Sequence, residues 1–100
     1  MGESMRVRLT LAYAHARAGD GARAREMLDQ ALAQRGQRHV PSHMVASVLG
    51  ALGELEPAWQ WLERAVGERD HWLAFLTVGP FFDAFRADAR FAELRRKVGL

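Results

Sequence analysis

The chain repeats itself. Gly19, Ala24, Leu28 and Ala31 reappear as Gly53, Ala58, Leu62 and Ala65, each 34 positions later, and Leu11-Ala12 reappears as Val45-Ala46 at the same offset. Six positions sharing one period mark a tandem unit of that length. Such a unit is too short to bury its own apolar face, so two copies must stack to share a core. A chain of 100 residues has room for two units and a closing segment, not for two independent domains.

The unit reads as a pair of helices. Alanine (17) and leucine (12) dominate, isoleucine is absent and threonine occurs twice, so helix formers far outnumber strand formers. Val7, Leu11, Ala14 and Ala18 recur at three- and four-residue steps until Gly19-Asp20-Gly21 breaks the pattern, which predicts a first helix over 5–18. Ala24, Met27, Leu28, Ala31 and Leu32 carry a second helix over 22–34, antiparallel to the first because the turn is short. Pro41 opens a third helix, with Val45, Val48, Leu49 and Leu52 in phase up to Gly53. Ala58, Trp59, Leu62, Ala65 and Val66 carry a fourth over 54–69, with Pro57 in its first turn.

Beyond that the pattern changes. Residues 71–78 have the composition of a short helix, Gly79-Pro80 ends it, and 81–85 forms one turn. Asp88 caps a last helix over 89–98, with Phe91, Leu94, Arg95 and Val98 in phase. The expected fold is therefore all-α, one domain, with repeat one over about 5–36, repeat two over about 41–69 and a C-terminal cap over about 71–98.

These residues resemble a pair of tetratricopeptide repeats. At the family's signature positions the chain reads Arg8, Leu11-Ala12, His15, Ala24, Leu28 and Ala31, then Ser42, Val45-Ala46, Leu49, Ala58, Leu62 and Ala65. The second-helix signature is complete, while the usual Trp and Tyr of the first helix are replaced by Arg8 or Ser42 and by His15 or Leu49. The tail 80–94 is similar to the closing segment of repeat regions at the C-termini of bacterial signalling proteins, with Ala89 where that family commonly has Pro. The resemblance implies helix-turn-helix hairpins wound into a right-handed superhelix, with Phe81, Phe85, Phe91 and Leu94 covering the apolar end of the last hairpin.

It also implies a function. Tetratricopeptide repeats bind partner segments in a concave groove lined by each unit's first helix. By register that groove is Arg6, Leu9, Tyr13 and Arg17 in unit one and His43, Met44, Ser47 and Ala51 in unit two. The expectation is a non-catalytic protein–protein interaction module that takes a peptide or helix of a partner protein. Arg6 and Arg17 would hold an acidic segment beside Tyr13. The carboxylate clamp of one subclass, built from lysine and asparagine, is absent: there is no asparagine, and Lys97 is the sole lysine. The alternative concerns Val7, Leu11 and Ala14, which no repeat in this sequence precedes: either the chain is the C-terminal piece of something longer, or a second copy buries this face, which makes homo-oligomerisation the alternative function.

Other chemistries rank lower. With no cysteine, disulfides, thiol nucleophiles and cysteine metal sites are excluded. His39 and His43 have the four-residue spacing of paired metal ligands, but Pro41 lies between them and no third ligand is evident, so no metal or cofactor is expected. No phosphate-binding glycine loop, His-Glu-x-x-His or nucleophile pattern points to catalysis. Net charge is only +2, and Asp20, Glu26 and Asp29 interrupt the arginines of the first hairpin, so nucleic-acid binding is a minor alternative. The longest stretch without a charged residue, 39–53, is too short and too polar to span a bilayer, and the first residues lack an apolar signal region; a cytoplasmic protein is expected. Thirteen arginines against one lysine fit the codons of a G+C-rich bacterial genome.

Overall fold

The computed structural model describes residues 5–34, 36, 40–68 and 82–99. Among them all regular structure is α-helical: α1 (Met5–Arg17), α2 (Gly21–Ala33), α3 (Ser42–Ala51), α4 (Leu55–Gly67), α5 (Asp83–Arg86) and α6 (Phe91–Lys97). The predicted boundaries of the first four helices agree to within two residues at most ends. His39 lies outside the described residues, and so do residues 69–81, which include the predicted short helix over 71–78, Gly79-Pro80 and Phe81. The last helix starts two residues later than expected, because Asp88 accepts a hydrogen bond from Arg90 N at 2.9 Å and holds a turn ahead of the helix.

The two hairpin turns are copies of each other, down to their hydrogen bonds. After α1, Gly19 has φ +91°, its N–H donates to Ala16 O at 3.2 Å, and Asp20 N donates to His15 O at 2.8 Å. After α3, Gly53 has φ +83°, its N–H donates to Gly50 O at 3.0 Å, and Glu54 N donates to Leu49 O at 3.0 Å. Both are Schellman motifs, which satisfy the orphan carbonyls of a helix end and need a residue in the left-handed region. Asp20 (φ −97°, ψ 66°) and Glu54 (φ −93°, ψ 74°) then start α2 and α4 in matching conformations. Only Asp20 caps with its side chain, accepting from Arg23 N at 3.2 Å.

The packing repeats as well. Ala12 and Ala46, Ala24 and Ala58, Leu28 and Leu62, and Ala31 and Ala65 are all fully buried. Small residues let paired helices approach closely, and the leucines fill the space between hairpins. α1 packs against α2 and α3, α3 against α4, and α5 against α3 and α4.

α3 is the centre of the molecule. Every residue from Ser42 to Gly50 is buried, a pattern that periodicity alone does not announce, since a helix buried all round has no polar face. Its polar groups are satisfied where they lie: Ser47 Oγ donates to His43 O at 2.9 Å, and Ser42 Oγ donates to Glu68 Oε1 at 2.9 Å, joining the start of α3 to the end of α4. Gly50 leaves room for the C-terminal segment: a Cβ there would lie 3.2 Å from Ala84 Cβ and 3.4 Å from the Phe85 ring. Phe85 is fully buried and meets Trp59 edge-on, with ring centroids 5.0 Å apart. Leu94 is buried too, Phe91 and Val98 pack partly against the core, and Lys97 Nζ lies 3.6 Å from Glu63 Oε1 of α4.

α1 buries a different stripe from the one its periodicity first marks. Met5, Leu9, Ala12 and Tyr13 face the core, whereas Val7 is 50% exposed and Leu11 42% exposed. Both stripes have helical spacing. What selects between them is which neighbours α1 has.

Candidate functional site: the two faces of the first helix

On the inner face, the groove residues assigned by register separate by burial. Arg6 and Arg17 are at the surface; Leu9, Tyr13, His43, Met44 and Ser47 are buried, and Ala51 is half-buried. The two arginines are eleven residues apart, about 16 Å along a helix, so they do not form one site. At the Arg17 end the groove is covered by the chain's own α5. Arg17 Nη1 donates to Asp83 Oδ2 at 3.3 Å, Arg86 pairs with the same carboxylate, and the Arg17 guanidinium stands 5.9 Å from the Tyr13 ring. Burial pushes the Tyr13 phenol above its ordinary value, with the Asp83 charge adding to the shift and Arg17 opposing it. Thus the place where Arg17 and Tyr13 were expected to hold an acidic segment is held by an aspartate 66 residues further along the chain. These ion pairs are exposed, and such pairs are worth only about 0–1 kcal/mol, so a stronger acidic ligand can displace them.

The outer face is open. Val7, Leu11, Ala14 and Ala18 form a continuous exposed stripe, bordered by Arg6 and Thr10, which are exposed, and by Arg8, which is half-buried. Their equivalents 34 positions later are Pro41, Val45, Val48 and Leu52. There Val45 and Val48 are fully buried, Pro41 is buried, and Leu52 packs over Gly21 of α2, where a Cβ would lie 3.5 Å from Leu52 Cδ2. The same face is covered in one unit and exposed in the other.

A third cluster, on the far side of α4, is not signalled by any local pattern in the sequence. Trp59 Nε1 donates to Asp88 Oδ2 at 3.1 Å, Arg90 stacks 4.9 Å from the Trp59 ring centroid, and Arg90 Nη1 lies 2.6 Å from Glu56 Oε2. Glu56, Trp59 and Arg90, with Gln60 and Glu63, line an open depression of about 480 Å³. Hydrogen bonds from the Arg90 side chain and backbone, and then from Trp59, hold the Asp88 carboxyl far below the ordinary carboxylate range. Asp88 was expected to cap a helix starting at 89; the helix starts at Phe91 with no side-chain cap, and Asp88 instead bonds a tryptophan 29 positions away, a partner that nothing near it in the chain encodes.

Among the described residues no group of three or more His, Asp or Glu side chains is placed to hold a metal ion, and no helix is long and apolar enough to cross a membrane. No protein-family model matches the chain, and no curated protein or solved structure matches it.

Proposed function

We propose that this chain is a non-catalytic protein-interaction module made of two tetratricopeptide-like hairpins and an aromatic closing segment, and that it binds a segment of a partner protein through α1. The observation that carries the reading is the 34-residue recurrence at three levels: sequence, turn hydrogen bonds and buried Ala/Leu positions. Stacked hairpins of this kind offer long helix faces, a geometry suited to another polypeptide. An extended acidic segment in the groove would replace Asp83 on Arg17. A helical segment would use the outer stripe.

The test is titration of the full 100-residue chain with fluorescent peptides, extended and helix-forming, each in an acidic and a neutral version. Saturable binding of an acidic peptide, in a sample whose helical circular dichroism is unchanged, is the expected result. For an extended peptide, Asp83→Ala should tighten binding by roughly the few-fold that one exposed ion pair is worth. If none of the peptides binds saturably at the highest soluble concentration, to the native chain or to the variant, the interaction reading fails.

A further inference from the structure

We infer that the open depression between α4 and the closing segment is a docking site for an arginine side chain of a partner protein. It lies on α4, apart from α1, and does not depend on binding there. The internal repeat supplies the template. Between the two hairpins, Arg25 of α2 pairs with Asp29 one turn along its own helix, Nη1 to Oδ1 at 3.9 Å, and through Nη2 with Glu54 at the start of α4. A guanidinium thus joins a carboxylate of one second helix to the carboxylate that opens the next.

Advancing each of those positions by the repeat length gives Trp59, Glu63 and Asp88. The two carboxylates recur and the arginine does not. Trp59 keeps one half of the arrangement, since its indole N–H donates to Asp88 at 3.1 Å, but an indole has a single donor and none remains for Glu63. Arg90 does not take its place, because its guanidinium is committed to Asp88 and Glu56. Among the described residues Glu63 has only Lys97, whose Nζ stands 3.6 Å away, beyond hydrogen-bond distance. Where the first junction is bridged by a guanidinium, the second leaves the depression of about 480 Å³.

The walls select the occupant. Each charged group there already has a partner, and three carboxylates (Glu56, Glu63, Asp88) against two cations (Arg90, Lys97) leave a net charge of −1. Gln60 is exposed, and its side chain makes no hydrogen bond to a described residue. It stands three positions before Glu63, so the two are neighbours on the helix surface. A guanidinium, planar and with five N–H donors, reaches the Glu63 carboxylate and the Gln60 carbonyl together, which a point-like ammonium does less well. Because the depression is open, a free small molecule would keep most of its surface in water, whereas an arginine on a polypeptide is held by the contacts of its chain as well.

The test is nuclear magnetic resonance on the full chain labelled with heavy nitrogen, in which the Trp59 indole N–H and the Gln60 side-chain amide report the depression directly. The probe is acetyl-Gly-Arg-Gly-amide, and the controls carry Lys or uncharged citrulline at the centre. Saturable shifts of both signals with the Arg peptide, weaker binding of the Lys peptide and none of the citrulline peptide are expected. Glu63→Gln should weaken binding by about fivefold or more, and Lys97→Ala, which removes the competing cation, should tighten it by up to about fivefold. Both side chains are exposed, so both variants keep the fold, which unchanged circular dichroism checks.

The inference is overturned if no shift develops up to the solubility limit, if the Arg and citrulline peptides bind equally, or if Glu63→Gln leaves the affinity untouched. Shifts with acetylarginine methylamide but not with the peptide would overturn it too, since they mark a site for a free small molecule. None of these outcomes bears on the peptide titrations of α1, whose result stands separately.

Discussion

The indole N–H of Trp59 donates to the carboxylate of Asp88 at 3.1 Å, a bond that joins the C-terminal turn to α4. Trp59 is 3% exposed, so removing the acceptor costs its N–H a hydrogen bond in a largely buried position. Asp88→Ala should lower the thermal midpoint and shift the tryptophan emission, while Asp88→Asn, which keeps an acceptor oxygen, should do so less.

The same residue gives the acid limb of the stability curve a specific origin. The folded-state value of Asp88 lies below its ordinary value of 3.8, because hydrogen bonds from Arg90 and Trp59 favour the charged form. Its contribution is complete above the ordinary carboxylate range and is lost as pH falls from there through the lower folded value. Urea denaturation of the native chain and Asp88→Asn from pH 6 to pH 2 should therefore show a gap that narrows below about pH 4. A constant gap would remove the carboxylate from the account.

Gly19 and Gly53 should behave as twins. A Cβ added at either position would have no heavy atom within 4 Å, so substitution meets no clash, and the cost is that of placing an L side chain in the left-handed region. Gly19→Ala and Gly53→Ala should each lose about 1–2 kcal/mol of unfolding free energy in denaturant titrations. Gly21→Ala, in the first turn of α2 with only an ordinary contact to Leu52, should be neutral or gain up to about 1 kcal/mol.

Ala24 and Ala58 are fully buried at equivalent helix crossings. Replacing either with Trp should destabilise by about 1–3 kcal/mol or more, since a close-packed crossing has no space for an indole. A melting temperature equal to that of the native chain would refute the equivalence of the two crossings.

Tyr13 is the single tyrosine, so ultraviolet difference absorbance reports it alone. Its phenol should ionise above the ordinary value of 10, chiefly because it is buried, and Asp83→Asn should bring it back towards that value. For a neutral acid whose folded value is raised, the stabilising effect is complete below the ordinary value and fades as pH rises through the folded one. Titration at or below 10 in the native chain would mean that the Tyr13 phenol is not buried.

Local signals account for what was readable in advance. Gly19 and Gly53 announce helix ends because only a few residue types tolerate positive φ, and Pro41 and Pro57 fall where a missing N–H costs little. Ala24, Leu28, Ala31 and their equivalents are legible because burial at one helix crossing recurs at the next. The groove register for Leu9, Tyr13, His43, Met44 and Ser47 marked one side of α1 and α3, but nothing local said that this side would be filled. At the Arg17 end, filling it depends on Asp83 reaching Arg17 across 66 residues.

The amino-acid order by itself determined that the chain makes helices, that they pair into hairpins and that two hairpins share one plan, because helix ends and short turns are satisfied by hydrogen bonds between near neighbours. It left α1 with two apolar stripes of equal periodicity, Met5-Leu9-Ala12 and Val7-Leu11-Ala14. Only the tertiary structure decided between them: with α2 and α3 packed against α1, the first is buried, while Val7, Leu11 and Ala14 of the second are exposed. Burial is a property of neighbours, which a helix acquires from the rest of the molecule and not from its own sequence.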